Sequence, residues 1–183
     1  VTYKTPSFEL PFGVTASAAA DYDPQANVGQ PAPAAVGADG ASGEAYTVKF
    51  AHESGLSLGG GNMTVGNTDA IKGEEIATGY LKYSNGGLTV AYQEFYVNAA
   101  VREVATATVA TTRGVDTEGE GYALAYTMGD MSFSYSKTNE TSLANGATAA
   151  LEEEEFSAIQ AAYNMGGMTI AASLYEADNL DGV

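Results

Sequence analysis

Few side chains in this sequence have the types and spacing that chemistry needs. His52 is the sole histidine and there is no cysteine, so a Ser-His-acid relay would rest on His52 alone, and a thiolate nucleophile or a zinc site is not available. Its position beside Glu53-Ser54-Gly55 marks a polar residue next to a turn. Asp21-Tyr22-Asp23-Pro24-Gln25-Ala26-Asn27 has the spaced acids that open a calcium loop, but Pro24 and the lack of a glycine and terminal glutamate at the required positions spoil the match. Gly59-Gly60-Gly61-Asn62 runs into Met63-Thr64-Val65 without a Lys-Ser/Thr pair, so it reads as a strand kink or close-packing point and not as a phosphate cradle. No enzyme is expected.

What remains is a set of polar side chains in strict alternation with apolar ones. Thr47 and Lys49 oppose Tyr46, Val48 and Phe50; Lys82 opposes Leu81 and Tyr83; Lys4 opposes Tyr3; and Ser132, Ser134 and Ser136 oppose Met131, Phe133 and Tyr135. Groups in this arrangement can solvate and steer ions or small polar solutes in water. A lysine on a lipid-facing phase at mid-depth costs roughly 2–4 kcal/mol, so a water-filled lumen is the cheaper home for Lys4, Lys49 and Lys82; the alternative for each is a solvated rim.

The elements that must hold these residues are hairpins. A tyrosine-capped turn recurs as Tyr83-Ser84-Asn85-Gly86-Gly87, Tyr126-Thr127-Met128-Gly129-Asp130 and Tyr163-Asn164-Met165-Gly166-Gly167, which is the repeat of an antiparallel meander. Around the second turn Tyr122, Leu124 and Tyr126 share one face with Met131, Phe133 and Tyr135, while Ala123, Ala125, Ser132 and Ser134 share the other. An oily face and a small hydroxylic face suit either a sandwich, where the oily face meets a second sheet, or a membrane barrel, where it meets lipid. Three features favour the barrel. Tyr83, Tyr126 and Tyr163 end their apolar stripes where a membrane-interface girdle would lie. Tight turns alternate with long polar connections over about 21–43, 98–118 and 139–153. A mean hydropathy of −0.10 suits strands that face water on one side.

The 183 residues suit one domain, and no run approaches the ~20 apolar residues of a spanning helix. Val1-Thr2-Tyr3-Lys4 lacks the form of a signal peptide. With 7 basic and 23 acidic residues the net charge is −16, which argues against nucleic acid as a partner, because phosphate binding needs clustered Lys and Arg. The acids gather in or beside the long connections, at Asp21, Asp23, Asp39, Glu44, Asp69, Glu74, Glu75, Asp116, Glu118, Glu120, Glu140 and Glu152-Glu153-Glu154-Glu155. They read as a solvated rim or, more sharply, as a cation-attracting mouth with divalent ions tying loops together. No cofactor is expected, with loop-bound Ca2+ left open.

Along the chain, strands are expected over 1–5, 11–20, 44–52, 56–65, 75–83, 88–97, 121–127, 131–138, 156–163 and 168–176, about ten in all, with a turn around 6–10 between Pro6 and Pro11. The period-two run 104–109 fits either a strand extension or a folded loop. A meander of this kind does not close by itself, so either the chain is a fragment of a longer one or its open edges pair with something else.

Tyr3-Lys4-Thr5-Pro6-Ser7-Phe8, followed by Phe12-Gly13-Val14 and Ala16-Ser17, resembles the alphaproteobacterial branch of the Gram-negative general porins, in which a strand ending Tyr-x-Thr-Pro-x-Phe turns into a strand of small residues. Tyr163-Asn164-Met165-Gly166-Gly167-Met168-Thr169-Ile170-Ala171-Ala172-Ser173 and Glu176-Ala177-Asp178-Asn179 resemble the family's penultimate region. The resemblance implies an all-β, antiparallel, up-and-down transmembrane β-barrel, sixteen-stranded and usually trimeric, in the bacterial outer membrane. Residues 1–183 would then be the central-to-C-terminal part of one barrel domain, without the N-terminal strands, the inward constriction loop and the terminal aromatic strand. It implies a diffusion porin, with outer-membrane lipid, small hydrophilic solutes, ions and two further copies of the chain as its partners, and basic wall residues set against acidic loops across the pore. The runner-up is a secreted or surface β-sandwich that binds through its acidic, possibly calcium-dependent loops; dependence on detergent separates the two.

Overall fold

The computed structural model describes residues 1–24, 42–66, 71–98, 101–102, 115–144 and 153–179. Its strands are β1 (Thr2–Lys4), β2 (Phe8–Leu10), β3 (Val14–Asp23), β4 (Gly43–His52), β5 (Leu56–Val65), β6 (Ile71–Lys72), β7 (Glu74–Asn85), β8 (Leu88–Asn98), β9 (Val101–Arg102), β10 (Val115–Met128), β11 (Met131–Ala144), β12 (Glu154–Asn164) and β13 (Thr169–Asp178). All but β6 and β9, which pair with each other, join one large sheet whose order β1-β3-β4-β5-β7-β8-β10-β11-β12-β13 follows the chain, with β2 also on β3. Every pair is antiparallel. This is the up-and-down order that short hairpins dictate.

β1 and β2 lie end to end on one edge of β3. Lys4 faces Ala19 and Phe8 faces Ala16, so four steps of chain oppose three and a bulge at Pro6-Ser7 takes up the extra residue. Thr5 stitches it, its N–H donating to the Ala18 carbonyl at 2.9 Å and its Oγ1 accepting from the Ala18 N–H at 2.9 Å. The expected turn over 6–10 is therefore corrected: Phe8–Leu10 is strand, and the chain reverses at Pro11–Gly13, where Phe12 (φ 65) and Gly13 (φ 71) are left-handed. Proline does not force the reversal at Pro6, because on an edge its missing donor costs nothing. With β1 and β2 counted as one, the eleven segments of the large sheet make the ten strands expected.

The strands also run further at the long-connection end than the alternation predicts. β10 begins at Val115, β11 reaches Ala144 and β12 begins at Glu154, so Asp116, Glu118, Glu120, Glu140, Glu154 and Glu155 sit on paired strand and not in loops. Ladder hydrogen bonds outweigh the low strand propensity of the acids. The run 104–109 and the acids Asp39, Asp69 and Glu152 lie outside the described residues.

The tight turns form a continuous seam. The Gly13 carbonyl accepts from Glu53 N–H (3.2 Å), Gly55 from Ser84 (3.0 Å), Gly87 from Thr127 (2.9 Å) and Asp130 from Asn164 (2.8 Å). His52 bonds two of these turns, through Nε2 to the Phe12 carbonyl at 2.9 Å and through Nδ1 to Ser54 Oγ at 2.8 Å and Ser54 N at 3.1 Å. A carbonyl only accepts and a backbone N–H only donates, so the proton is on Nε2. The role expected of His52 at a turn is thus a structural one.

The seam sets a prediction. At Gly87 (φ +86) a Cβ would lie 2.3 Å from the Thr127 carbonyl oxygen, whereas at Gly86 (φ +57) nothing lies within 4 Å. Gly87→Val is expected to destabilise by about 3 kcal/mol and Gly86→Asn to be near neutral, since asparagine tolerates the left-handed region. Urea titration of folded protein in detergent reads both, and equal midpoints for the two variants would refute the assignment.

No second layer covers this sheet among the described residues. Among the described residues there is no large fully buried side chain and no buried polar one, and Leu124, Phe133, Ile159 and Leu174 are 49%, 50%, 56% and 60% exposed. A sandwich of this length would bury such residues between sheets, so the runner-up architecture is not what the chain adopts.

Candidate functional site: the hydroxylic face of the sheet

Register decides which residues share a face. One row runs Leu56-Tyr83-Val90-Leu124-Tyr135-Ile159-Leu174 across β5, β7, β8, β10, β11, β12 and β13, and it is apolar throughout. The next row toward the turns holds Leu88-Tyr126-Phe133-Ala161-Ala172, and Met131 pairs with Tyr163, which pairs with Ile170. Tyr83, Tyr126 and Tyr163 thus lie on the apolar face at the tight-turn end and are 38%, 44% and 45% exposed.

The opposite face carries the polar set. Ser17-Lys49-Gly59-Tyr80-Gln93-Gly121-Thr138 form one row, and Ser57-Lys82-Ala91-Ala123-Ser136-Ala158-Tyr175 form the next. Ser134 pairs with Gln160 and Ser132 with Ala162. Lys4 faces Ala19, whose other neighbour is Thr47. Lys4, Thr47, Lys49, Lys82, Ser132, Ser134 and Ser136 all fall on this one face. The three lysines belong to its β1–β7 half, while Glu140 and Glu154 stand opposite each other on its β11–β12 half.

Small residues let the strands of this face pack closely. A Cβ on Gly59 would lie 2.8 Å from Tyr80 Cε1 and one on Gly61 2.9 Å from Thr47 Cγ2, so the glycine run is a close-packing point where neighbouring side chains lean over the backbone. Gln93 donates to Thr78 at 2.9 Å, Ser84 and Thr89 share a bond of 2.8 Å, and Gln160 donates to Tyr175 at 3.1 Å. Gln93, Gln160, Tyr80 and Tyr175 escaped the sequence reading of this face. Their phase opposite Tyr92, Ile159, Leu81 and Leu174 was the signal that could have found them.

The apolar face ends in a second polar band at the long-connection end, also missed. Tyr92 and Tyr122 are cross-strand partners with ring centroids 5.1 Å apart. The Tyr92 hydroxyl donates to Glu94 and, at 3.2 Å, to Glu120, Tyr46 donates to Glu44 at 2.9 Å, and Lys137 pairs with Glu155 at 2.6 Å. The i,i+2 pairs Tyr92/Glu94 and Glu120/Tyr122 put ring and carboxylate in one phase. No group of three or more His, Cys, Asp or Glu side chains among the described residues is disposed to hold a metal ion, and Asp21 and Asp23 sit on β3 in extended chain.

A single sheet with one apolar and one hydroxylic face, short turns at one end and long connections at the other is the wall of a porin-type barrel, all-β and antiparallel. A solved structure described as porin refined at 1.8 Å resolution is similar, with a TM-score of 0.64 and 14% identity over 97% of this chain and 55% of that one. The chain therefore spans about half the length of that porin, and the likeness is one of fold. No protein-family model and no curated protein matches the sequence.

Proposed function

We propose that the chain forms part of the wall of an outer-membrane diffusion porin, which passes small hydrophilic solutes and ions through a water-filled lumen without catalysis or cofactor. The observation that supports this best is the uncovered apolar face, continuous from β5 to β13, backed by a face of small, hydroxylic and basic residues. In this reading the hydroxylic face lines the lumen and the apolar face meets lipid. Tyr83, Tyr126 and Tyr163 lie at headgroup level on one side, with Tyr46, Tyr92 and Tyr122 toward the other. Strands of 10 to 14 residues are long enough for a tilted crossing. β1, β2 and β13 each keep one edge without a partner among the described residues, and further strands close the barrel, in a homotrimer of a Gram-negative outer membrane.

The complete protein reconstituted in planar bilayers is expected to give stepwise, ohmic conductance. A protein that stays monodisperse in buffer without detergent and gives no steps overturns the reading.

The charge distribution sets a further expectation. With a net charge of −16 and carboxylates gathered at the long-connection end, the mouth attracts cations through a field that decays over ~10 Å at 0.1 M salt. Reversal potentials under a KCl gradient should show a mild cation preference that weakens as ionic strength rises; anion preference at low salt means that the basic wall outweighs the acidic mouth.

A further inference from the structure

Polar groups on the β8–β13 half of the hydroxylic face bond to one another, as Ser134 does to Gln160 at 3.5 Å and Gln160 to Tyr175 at 3.1 Å. On the other half Thr78 accepts from Gln93 at 2.9 Å and donates to the Glu94 carbonyl at 3.0 Å, and Thr5 accepts from the Ala18 N–H at 2.9 Å, but the polar side chains beside them are left without such bonds. Lys4, Ser7, Ser17, Thr47, Lys49 and Tyr80 line one hollow, and among the described residues none of their side chains has a hydrogen-bond or ion-pair partner. Ala19 and Gly61 form its floor, where the backbone is nearly bare. Gly59 separates Lys49 from Tyr80 in the register, and the Tyr80 ring lies against it, 2.8 Å from where a Cβ would stand, which brings the phenol toward the Lys49 side.

Lys4 and Lys49 are two strands and two residues apart, about 12 Å between Cα atoms at ~4.8 Å per strand and ~3.3 Å per residue. Each lysine side chain is long enough to reach the middle of that gap, so that both ammonium groups can approach one tetrahedral oxyanion held there. The hydroxyls of Ser7, Ser17, Thr47 and Tyr80 surround the same space and can both donate and accept. Ammonium groups on an oxyanion make the stronger, charge-assisted bonds, and the hydroxyls suit a polyol. Asp21 and Glu9 lie in the same phase above and below the hollow, opposite Thr2 and Thr15. They hold its net charge near zero, so that an anion is bound weakly enough to leave, as conduction requires.

We propose that this hollow is a binding site for a small phosphorylated polyol, of the sugar phosphate class, on its way through the lumen. The site rests on the pore reading above and gives it a preferred solute.

The test uses the complete protein, with glucose 6-phosphate as probe and inorganic phosphate and glucose as the other arms. In bilayers, glucose 6-phosphate is expected to reduce the KCl current saturably, with half-block near millimolar concentration, inorganic phosphate to act about tenfold more weakly, and glucose not at all. Lys4→Ala/Lys49→Ala should raise the half-blocking concentration by about tenfold or more, from the loss of two charge-assisted bonds, and Tyr80→Phe by a smaller factor. Broadening of the glucose 6-phosphate 31P resonance by detergent-solubilised protein checks binding without current. Channels that conduct but show no saturable block and no broadening overturn the site and leave the porin standing. Broadening without any conductance overturns the porin and with it a role in passage. Equal block by inorganic phosphate overturns the polyol assignment, and an unchanged half-block in the double lysine variant places the site elsewhere. Lys4→Arg/Lys49→Arg should retain block, which separates lost charge from a damaged fold.

Discussion

Leu124→Arg is expected to destabilise the membrane-inserted protein by about 2–4 kcal/mol, while Ala123→Arg, one residue away, costs well under 1 kcal/mol. Leu124 is 49% exposed on the apolar face, in the row between Val90 and Tyr135. With the apolar face against lipid, as proposed, arginine there brings a charge into hydrocarbon at a depth from which it reaches headgroups poorly. Ala123 lies between Ala91 and Ser136 on the hydroxylic face, where neighbours are small and the proposed lumen is wet. The measurement is the urea midpoint of each variant folded into lipid vesicles, followed by the electrophoretic shift between folded and unfolded barrel. Equal losses would mean that the sheet is covered on both faces, and a larger loss for Ala123→Arg would exchange lumen and lipid.

Lys49→Glu is expected to move the reversal potential of the assembled pore toward cations and leave the urea midpoint within about 0.5 kcal/mol. Lys49 pairs with Ser17 on one side and Gly59 on the other, and no ion pair holds it among the described residues, so the exchange breaks no contact. A unit charge ~4 Å from a passing ion is worth about 1 kcal/mol in water, and reversing it doubles that, for up to about a tenfold change in the cation-to-anion ratio after screening. Unchanged selectivity with lost folding would place Lys49 outside the lumen.

Face assignment was legible at single residues. In Tyr122-Ala123-Leu124-Ala125-Tyr126 the period of two is free of interruption, and the register puts every member on the expected side. It failed where chain geometry breaks the period. Pro6 and Pro11 both look like turn residues, but only at Pro11–Gly13 do left-handed residues follow, and the bulge that shifts Phe8 into phase with Ala16 leaves no local mark beyond Pro6 itself. Strand ends were set too short at Glu118, Glu120 and Glu154 because propensity counts acids against a strand, whereas their stability comes from pairing with a neighbour that the local sequence does not reveal.

The candidate site divides the same way. Lys4, Lys49 and Lys82 are placed on one face by alternation alone, since successive side chains in extended chain must point to opposite sides. Their grouping is not local information: Lys4 and Lys49 meet only because β1 and β4 both pair with β3, and Tyr80 joins them only because Gly59 leaves its ring a place to lie. By itself, then, the sequence determined strand, turn and face, all of which follow from backbone geometry over a few residues. It also anticipated a single sheet over two packed ones, through the tyrosines that end the apolar stripes and the alternating connection lengths. The bulge and the hollow between Lys4 and Tyr80 were decided by cross-strand register, a relation between segments far apart in the chain that no local pattern encodes.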